Sequence, residues 1–139
     1  MNNKNLTIKE TFASAVQNHQ KNFFKIAENL YKEILKINPN HFGSIFYLGT
    51  LLVQTQRFKL AKSLLYKATQ INPNYAAAHN NLGATLKELG EYQNAINCCQ
   101  KAIKINPNYA DAHYNLGNVF KQLNEPQKAI NYYQKAIEI

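Results

Sequence analysis

The stretches INPNHFGSIFYLG (37–49), INPNYAAAHNNLG (71–83) and INPNYADAHYNLG (105–117) are one motif written three times. The prolines, Pro39, Pro73 and Pro107, are spaced by 34 residues, and the register holds far outside the motif. Leu48, Leu82 and Leu116 align, as do Gly49, Gly83 and Gly117, then Ala61, Ala95 and Ala129, then Ala68, Ala102 and Ala136. The residues before Pro39 follow the pattern more loosely, with Ala15 at the glycine position and Ala27 at the first alanine. A fixed period of this length marks an array of supersecondary units rather than a single irregular core. The repeats are 8–41, 42–75, 76–109 and 110–139, with 1–7 expected to be a disordered or extended N-terminus.

Each repeat divides into two amphipathic helices. The first helices are predicted near 8–21, 42–55, 76–89 and 110–123, and the second near 24–37, 58–71, 92–105 and 126–139. Turn signals at Asn22, Gln56-Arg57, Gly90-Glu91 and Asn124-Glu125 separate them. The Asn before each repeat-ending Pro is pushed from helical angles, which stops the second helix. The Asn after it is suited to cap the next helix. Pro126 suits a first helical position, where its missing N–H costs nothing. Small residues such as Gly83, Ala95 and Ala102 allow close helix approach. One hairpin cannot bury its apolar face alone, so neighbours must stack. The expected fold is all-α, a right-handed superhelical solenoid of about four antiparallel helix pairs.

These residues resemble the tetratricopeptide repeat (TPR), whose 34-residue period carries a Trp-x2-Leu-Gly-x2-Tyr…Ala-x3-Phe…Pro pattern. The third repeat supplies His79, Leu82, Gly83, Leu86, Gly90, Tyr92, Ala95, Cys99 and Ala102, and the fourth His113, Leu116, Gly117, Phe120, Ala129, Tyr133 and Ala136. His replaces Trp, Leu or Phe replaces the first Tyr, and Cys99 replaces the later aromatic, all at packing sites. The resemblance implies a concave groove lined by the first helices, in which a peptide or protein segment binds.

Carried over to this chain, the groove positions give Phe12, Phe46, Tyr47 and Thr50 in the first two repeats. The last two give Asn80, Asn81, Lys87, Tyr114, Asn115, Asn118 and Lys121. The wall thus grades from aromatic to amide-rich. An Asn amide donates and accepts, so it can pair with peptide backbone of any sequence. Asn81 and Asn115 resemble the asparagine ladder of the TPR domains of nucleotide-sugar-dependent protein O-glycosyltransferases. That suggests an alternative role, the substrate-recognition arm of a larger glycosyl- or sulfotransferase whose catalytic domain would lie beyond residue 139. The Lys-and-Asn pairing used by some members of the family to clamp a C-terminal carboxylate occurs in no repeat here.

Other signals point to no further chemistry. The net charge is +8, and the second repeat carries Arg57, Lys59, Lys62 and Lys67 without an acidic residue. No base-reading motif accompanies them, so a solvated face is expected in place of specific nucleic-acid binding. His79 and His113 occupy one packing position a helix pair apart, too far to share a metal, and His19 and His41 stand alone. The adjacent Cys98 and Cys99 point in different directions on a helix and make a poor disulfide. Cys99 is expected to be a buried structural thiol. No P-loop, dinucleotide fingerprint, nucleophile elbow or paired-His metal motif occurs, so no cofactor, metal or catalytic activity is expected. Without a leader-like segment or a long apolar run, the chain is expected to be cytoplasmic, with protein partners and no membrane contact. Ala129, Tyr133 and Ala136 lie where a fifth hairpin would dock, and a homodimer through that uncapped repeat is expected.

Overall fold

The computed structural model describes residues 3–139, with side chains from Thr7 onward. Among them are eight α-helices and no strand: α1 (Asn3–Gln20), α2 (Phe24–Ile37), α3 (Phe42–Gln54), α4 (Phe58–Ile71), α5 (Ala76–Glu88), α6 (Tyr92–Ile105), α7 (Ala110–Gln122) and α8 (Pro126–Glu138). The chain divides into two compact halves, Met1–Ile71 with α1–α4 and Asn72–Ile139 with α5–α8.

The helix bounds follow the repeat to within a residue, except at the N-terminus. The segment expected to be disordered or extended over 1–7 is helical from Asn3; Met1 and Asn2 lie outside the described residues. Nothing between Asn3 and Thr7 breaks a helix, and lengthening an existing helix costs far less than starting one. The capping expectation also needs correction. The residues preceding α3, α5 and α7 are His41, Tyr75 and Tyr109, not the Asn after proline, and only His41 caps with its side chain, accepting from Ser44 N–H. The Asn before proline does the local work: Asn38 Oδ1 accepts from Asn40 N–H at 3.1 Å, and Asn106 Oδ1 from Asn108 N–H at 3.2 Å. Such turns compete with helix continuation.

The four hairpin turns share one geometry. Asn22, Gln56, Gly90 and Asn124 all have positive φ, between 56° and 78°. The next residue's N–H closes back on the helix, as Arg57 N does on the Leu52 carbonyl at 2.8 Å and Glu91 N on that of Leu86 at 2.9 Å. This left-handed residue with its backward bond satisfies carbonyls that a helix end otherwise leaves open. The histidines at the family's Trp position tie the loops down: His79 Nε2 donates to the Pro73 carbonyl at 2.8 Å, and His113 Nε2 to that of Pro107 at 2.9 Å.

Within each hairpin the helices meet where a side chain is missing. A Cβ on Gly49 would lie 2.8 Å from Leu65 Cδ2, on Gly83 2.6 Å from Cys99 Sγ, and on Gly117 2.5 Å from Tyr133 Cε1. The opposed residue is always sixteen positions later; in the first hairpin the fully buried Ala15 and Tyr31 hold these positions. Cys99 is fully buried and unbonded, and burial pushes its thiol up to about 12, so it fills space as an un-ionised side chain.

In the N-terminal half, Glu28 of α2 is 3% exposed, and its carboxylate takes a bidentate pair from Arg57, with bonds of 3.1 and 2.5 Å, and a third bond from Lys32 at 2.7 Å. The Arg57 bonds foremost, then Lys32, outweigh desolvation and hold the Glu28 carboxyl at about 2.

Two stability outcomes follow from these contacts. Because the folded-state pKa of Glu28 is depressed, its pairing stabilises the fold above the ordinary carboxylate pKa and loses effect as pH falls through about 2. Glu28→Gln should cost about 1–2 kcal/mol at pH 7, allowing for the partial exposure of Arg57. In urea unfolding the gap should narrow below pH 4 and close near pH 2. For Gly83→Ala, helix propensity favours Ala by about 1 kcal/mol, while overpacking against Cys99 costs about 1–3 kcal/mol. The single variant should be less stable than wild type. In a Cys99→Ala background the substitution should cost at least 0.5 kcal/mol less, roughly the threshold for real coupling; equal costs in the two backgrounds would show that Sγ is not the obstacle.

Candidate partner-binding surface

In the N-terminal half, α1 and α3 form an aromatic wall. The Phe12 ring lies 5.9 Å from that of Tyr47, and Tyr47 lies 5.4 Å from Phe46 in an edge contact and 6.4 Å from Tyr31, stacked. Tyr47 and Phe12 are half-buried. Phe46, at 6% exposure and stacked on Phe42 at 6.1 Å, belongs to the core and supports the wall from behind. Thr50 Oγ1 donates to the Phe46 carbonyl at 3.0 Å.

Beside this wall is a cleft of about 310 Å³ lined by Val16, His19, Tyr47, Thr50 and Gln54, among others. His19 bridges three helices. The Gln54 amide oxygen can only accept, so His19 Nε2 donates to it at 2.6 Å, and Nδ1 accepts from the Tyr31 hydroxyl at 2.9 Å. The sequence left His19 standing alone; the structure gives it partners in Tyr31, from α2, and Gln54, at the far end of α3.

In the C-terminal half the same positions carry amides. Asn115 Nδ2 of α7 donates to Asn80 Oδ1 of α5 at 2.8 Å, and Asn80 Nδ2 approaches Asn81 Oδ1 at 3.4 Å. Asn80 is 4% exposed and also bonds the Tyr109 side chain. It is therefore an internal support that orients Asn115, where the sequence suggested a groove contact. Asn81 and Asn115 are half-buried. One bond to Asn80 leaves Asn115 its amide oxygen and second N–H.

Further along α7, Asn118 Oδ1 accepts from the Tyr133 hydroxyl of α8 at 2.6 Å. With Tyr114 (54% exposed), Lys121 and Tyr133 it lines a cleft of about 540 Å³. The Tyr114 and Tyr133 rings are 5.7 Å apart. Lys87 pairs with its neighbour Glu88 at 3.1 Å. The structure thus gathers Phe12, Phe46, Tyr47 and Thr50 in one half and Tyr114, Asn118 and Lys121 around one cleft in the other, with Asn80, Asn81 and Asn115 as a linked set. Tyr133 is a contributor that position-by-position reading of first helices misses, because it sits on a second helix.

Among the described residues no group of three or more His, Cys, Asp or Glu is placed to hold a metal ion, and no helix is long and apolar enough to cross a membrane. The geometry offers amide, hydroxyl and aromatic contacts suited to polypeptide.

Tetratricopeptide-repeat profiles match residues 74–139 and 44–75. Comparison with curated protein sequences finds no match. A crystal structure of MamA is 34% identical, covers 90% of this chain and 73% of its own, and superposes with a TM-score of 0.82. A second MamA crystal structure gives 32%, 96%, 73% and 0.86. MamA from Desulfovibrio magneticus RS-1, 22% identical over 94% of this chain and 74% of its own, shares the fold with a TM-score of 0.88. With the repeated hairpins, the glycine contacts and these matches together, the chain belongs to the tetratricopeptide-repeat family and is a protein–protein interaction module.

Proposed function

We propose that the module binds extended polypeptide against the faces of its first helices, each half offering its own contacts: the Phe12 and Tyr47 rings beside Thr50 in one half, and the amides of Asn81, Asn115 and Asn118 in the other. The observation that carries this reading is the Asn115–Asn80 bond. A buried amide with no role beyond solubility would be poorly placed at 4% exposure. As a support for Asn115 it holds a donor and acceptor in a fixed orientation, which lowers the entropic cost of pairing with a backbone. Tyr114 adds a large exposed surface with few rotatable bonds. The same amides would serve an arm that feeds polypeptide to a transferase, since sequence-tolerant backbone binding is common to both roles. Neither role requires catalysis by these residues.

The test is an array of unrelated extended peptides, probed with wild type and with Asn81→Ala/Asn115→Ala. Two lost backbone hydrogen bonds at about 1 kcal/mol each correspond to a roughly 10- to 30-fold loss of affinity, spread evenly over the sequences bound. Asn115→Ala also leaves Asn80 Oδ1 without its donor and should lower stability by about 1–3 kcal/mol. Binding is therefore compared below the variant's unfolding transition, with helicity checked by circular dichroism. Retention of binding by a folded double variant would contradict the amide contacts. Loss on Tyr47→Ala instead would move the site to the aromatic half.

A further inference from the structure

The second helices carry a surface that the first-helix reading does not use. Between α2 and α4, floored by Leu48 and Leu52 of α3, runs a groove of about 370 Å³ bordered by Lys32, Leu60 and Leu64. Two repeats later the same place, between α6 and α8 over α7, is a groove of about 430 Å³. The counterparts are Gln100 for Lys32, Phe120 for Leu52, Lys128 for Leu60 and Tyr132 for Leu64.

The two grooves differ in how their apolar surface is covered. In the later one, Tyr132 stacks on Phe120 with centroids 5.5 Å apart and planes within 7°. Lys128 Nζ then sits 5.3 Å above the Phe120 ring, so the protein supplies its own cationic lid. In the earlier one Leu60 takes the place of that lysine and stands 58% exposed beside an aliphatic floor. The Glu28 carboxylate at its edge is already engaged by Arg57 and Lys32.

Charge separates the halves in the same sense. Residues 1–71 hold ten Lys and Arg against three acidic residues, while 72–139 hold six against five. Lys59 precedes Leu60 in sequence, and Lys32 stands at the rim.

We propose that the α2–α4 groove is a second docking site, one that takes an acidic protein segment by inserting a leucine- or phenylalanine-sized side chain beside Leu60, Leu64 and Leu52. The basic surroundings supply charge complementarity, and the recess supplies the anchor pocket. A recess suits an inserted side chain, whereas a lipid surface requires apolar groups that protrude. The site is independent of the first-helix contacts.

The experiment uses two fluorescein-labelled synthetic dodecapeptides in fluorescence anisotropy, one of Asp and Glu around a central Leu-x-x-Phe, the other with every acid replaced by its amide. Phosphatidylserine vesicles are tested in parallel by flotation. The key variant is Leu60→Lys, which places a charged side chain at the position Lys128 holds in the later groove. Leu60 is mostly exposed, so the fold should persist, and circular dichroism confirms it. The added positive charge would by itself strengthen binding of an acidic peptide, so a loss reports the groove. The acidic peptide should bind wild type at least tenfold tighter than its amide counterpart, and Leu60→Lys should weaken it at least fivefold. Unchanged or tighter binding by Leu60→Lys would reduce the interaction to bulk charge and overturn the proposal. So would failure of the acidic peptide to bind, or binding confined to the vesicles.

Discussion

Sixteen residues after the glycine of each later first helix stands the side chain that fills its place: Leu65 over Gly49, Cys99 over Gly83 and Tyr133 over Gly117, with the buried Ala15 and Tyr31 at the same spacing in the first hairpin. A Cβ at any of the three glycines would come within 2.8 Å of that partner. The hairpin therefore closes only as far as this contact allows, and the size of the opposed residue sets what else it can do. Cys99 ends at the contact as a buried, un-ionised thiol. Tyr133 is long enough to pass Gly117 and deliver its hydroxyl to Asn118. Tyr31 likewise reaches His19. One packing position thus supplies both the closure of the hairpin and, where it is a tyrosine, a hydroxyl bonded to a first-helix side chain.

A second offset orders the first-helix face itself. Phe12 meets Tyr47, His19 bonds Gln54, and Asn80 bonds Asn115, each pair 35 residues apart. Neighbouring first helices within a half are therefore in register at one repeat plus one residue. The same geometric slot is filled by an aromatic pair, an imidazole–amide pair or an amide pair. The scaffold remains constant while the chemistry presented changes, which is how repeat arrays separate fold from specificity.

Much of the fold was legible because period and punctuation are local signals. Asn-Pro-Asn stops one helix, a positive-φ residue turns each hairpin, and the small residues recur on schedule. The helix over Asn3–Thr7 was not legible, since it lies outside the repeat and carries neither a breaker nor a cap. The N-cap is expected at the Asn after proline because its side chain suits a cap; the N-cap position falls one residue later, at His41, Tyr75 or Tyr109, and only backbone geometry decides that. At the candidate site, first-helix positions located Tyr47, Asn115 and Asn118. They could not distinguish the buried support Asn80 from its more accessible neighbour Asn81, because adjacent asparagines differ only in helical phase. Tyr31 and Tyr133 were invisible to a rule confined to first helices, although their sixteen-residue spacing from Ala15 and Gly117 was present in the sequence.

The central claim is that polypeptide is bound by the first-helix faces. Its most direct test is a ¹H–¹⁵N NMR titration of the labelled protein with a peptide selected from the array. The side-chain amides of Asn81, Asn115 and Asn118 and the backbone amides around Tyr47 should shift in a saturable manner, while those of the outward faces of α6 and α8 stay fixed. Shifts confined to α2, α4, α6 and α8, with the asparagine amides unmoved, would contradict the account.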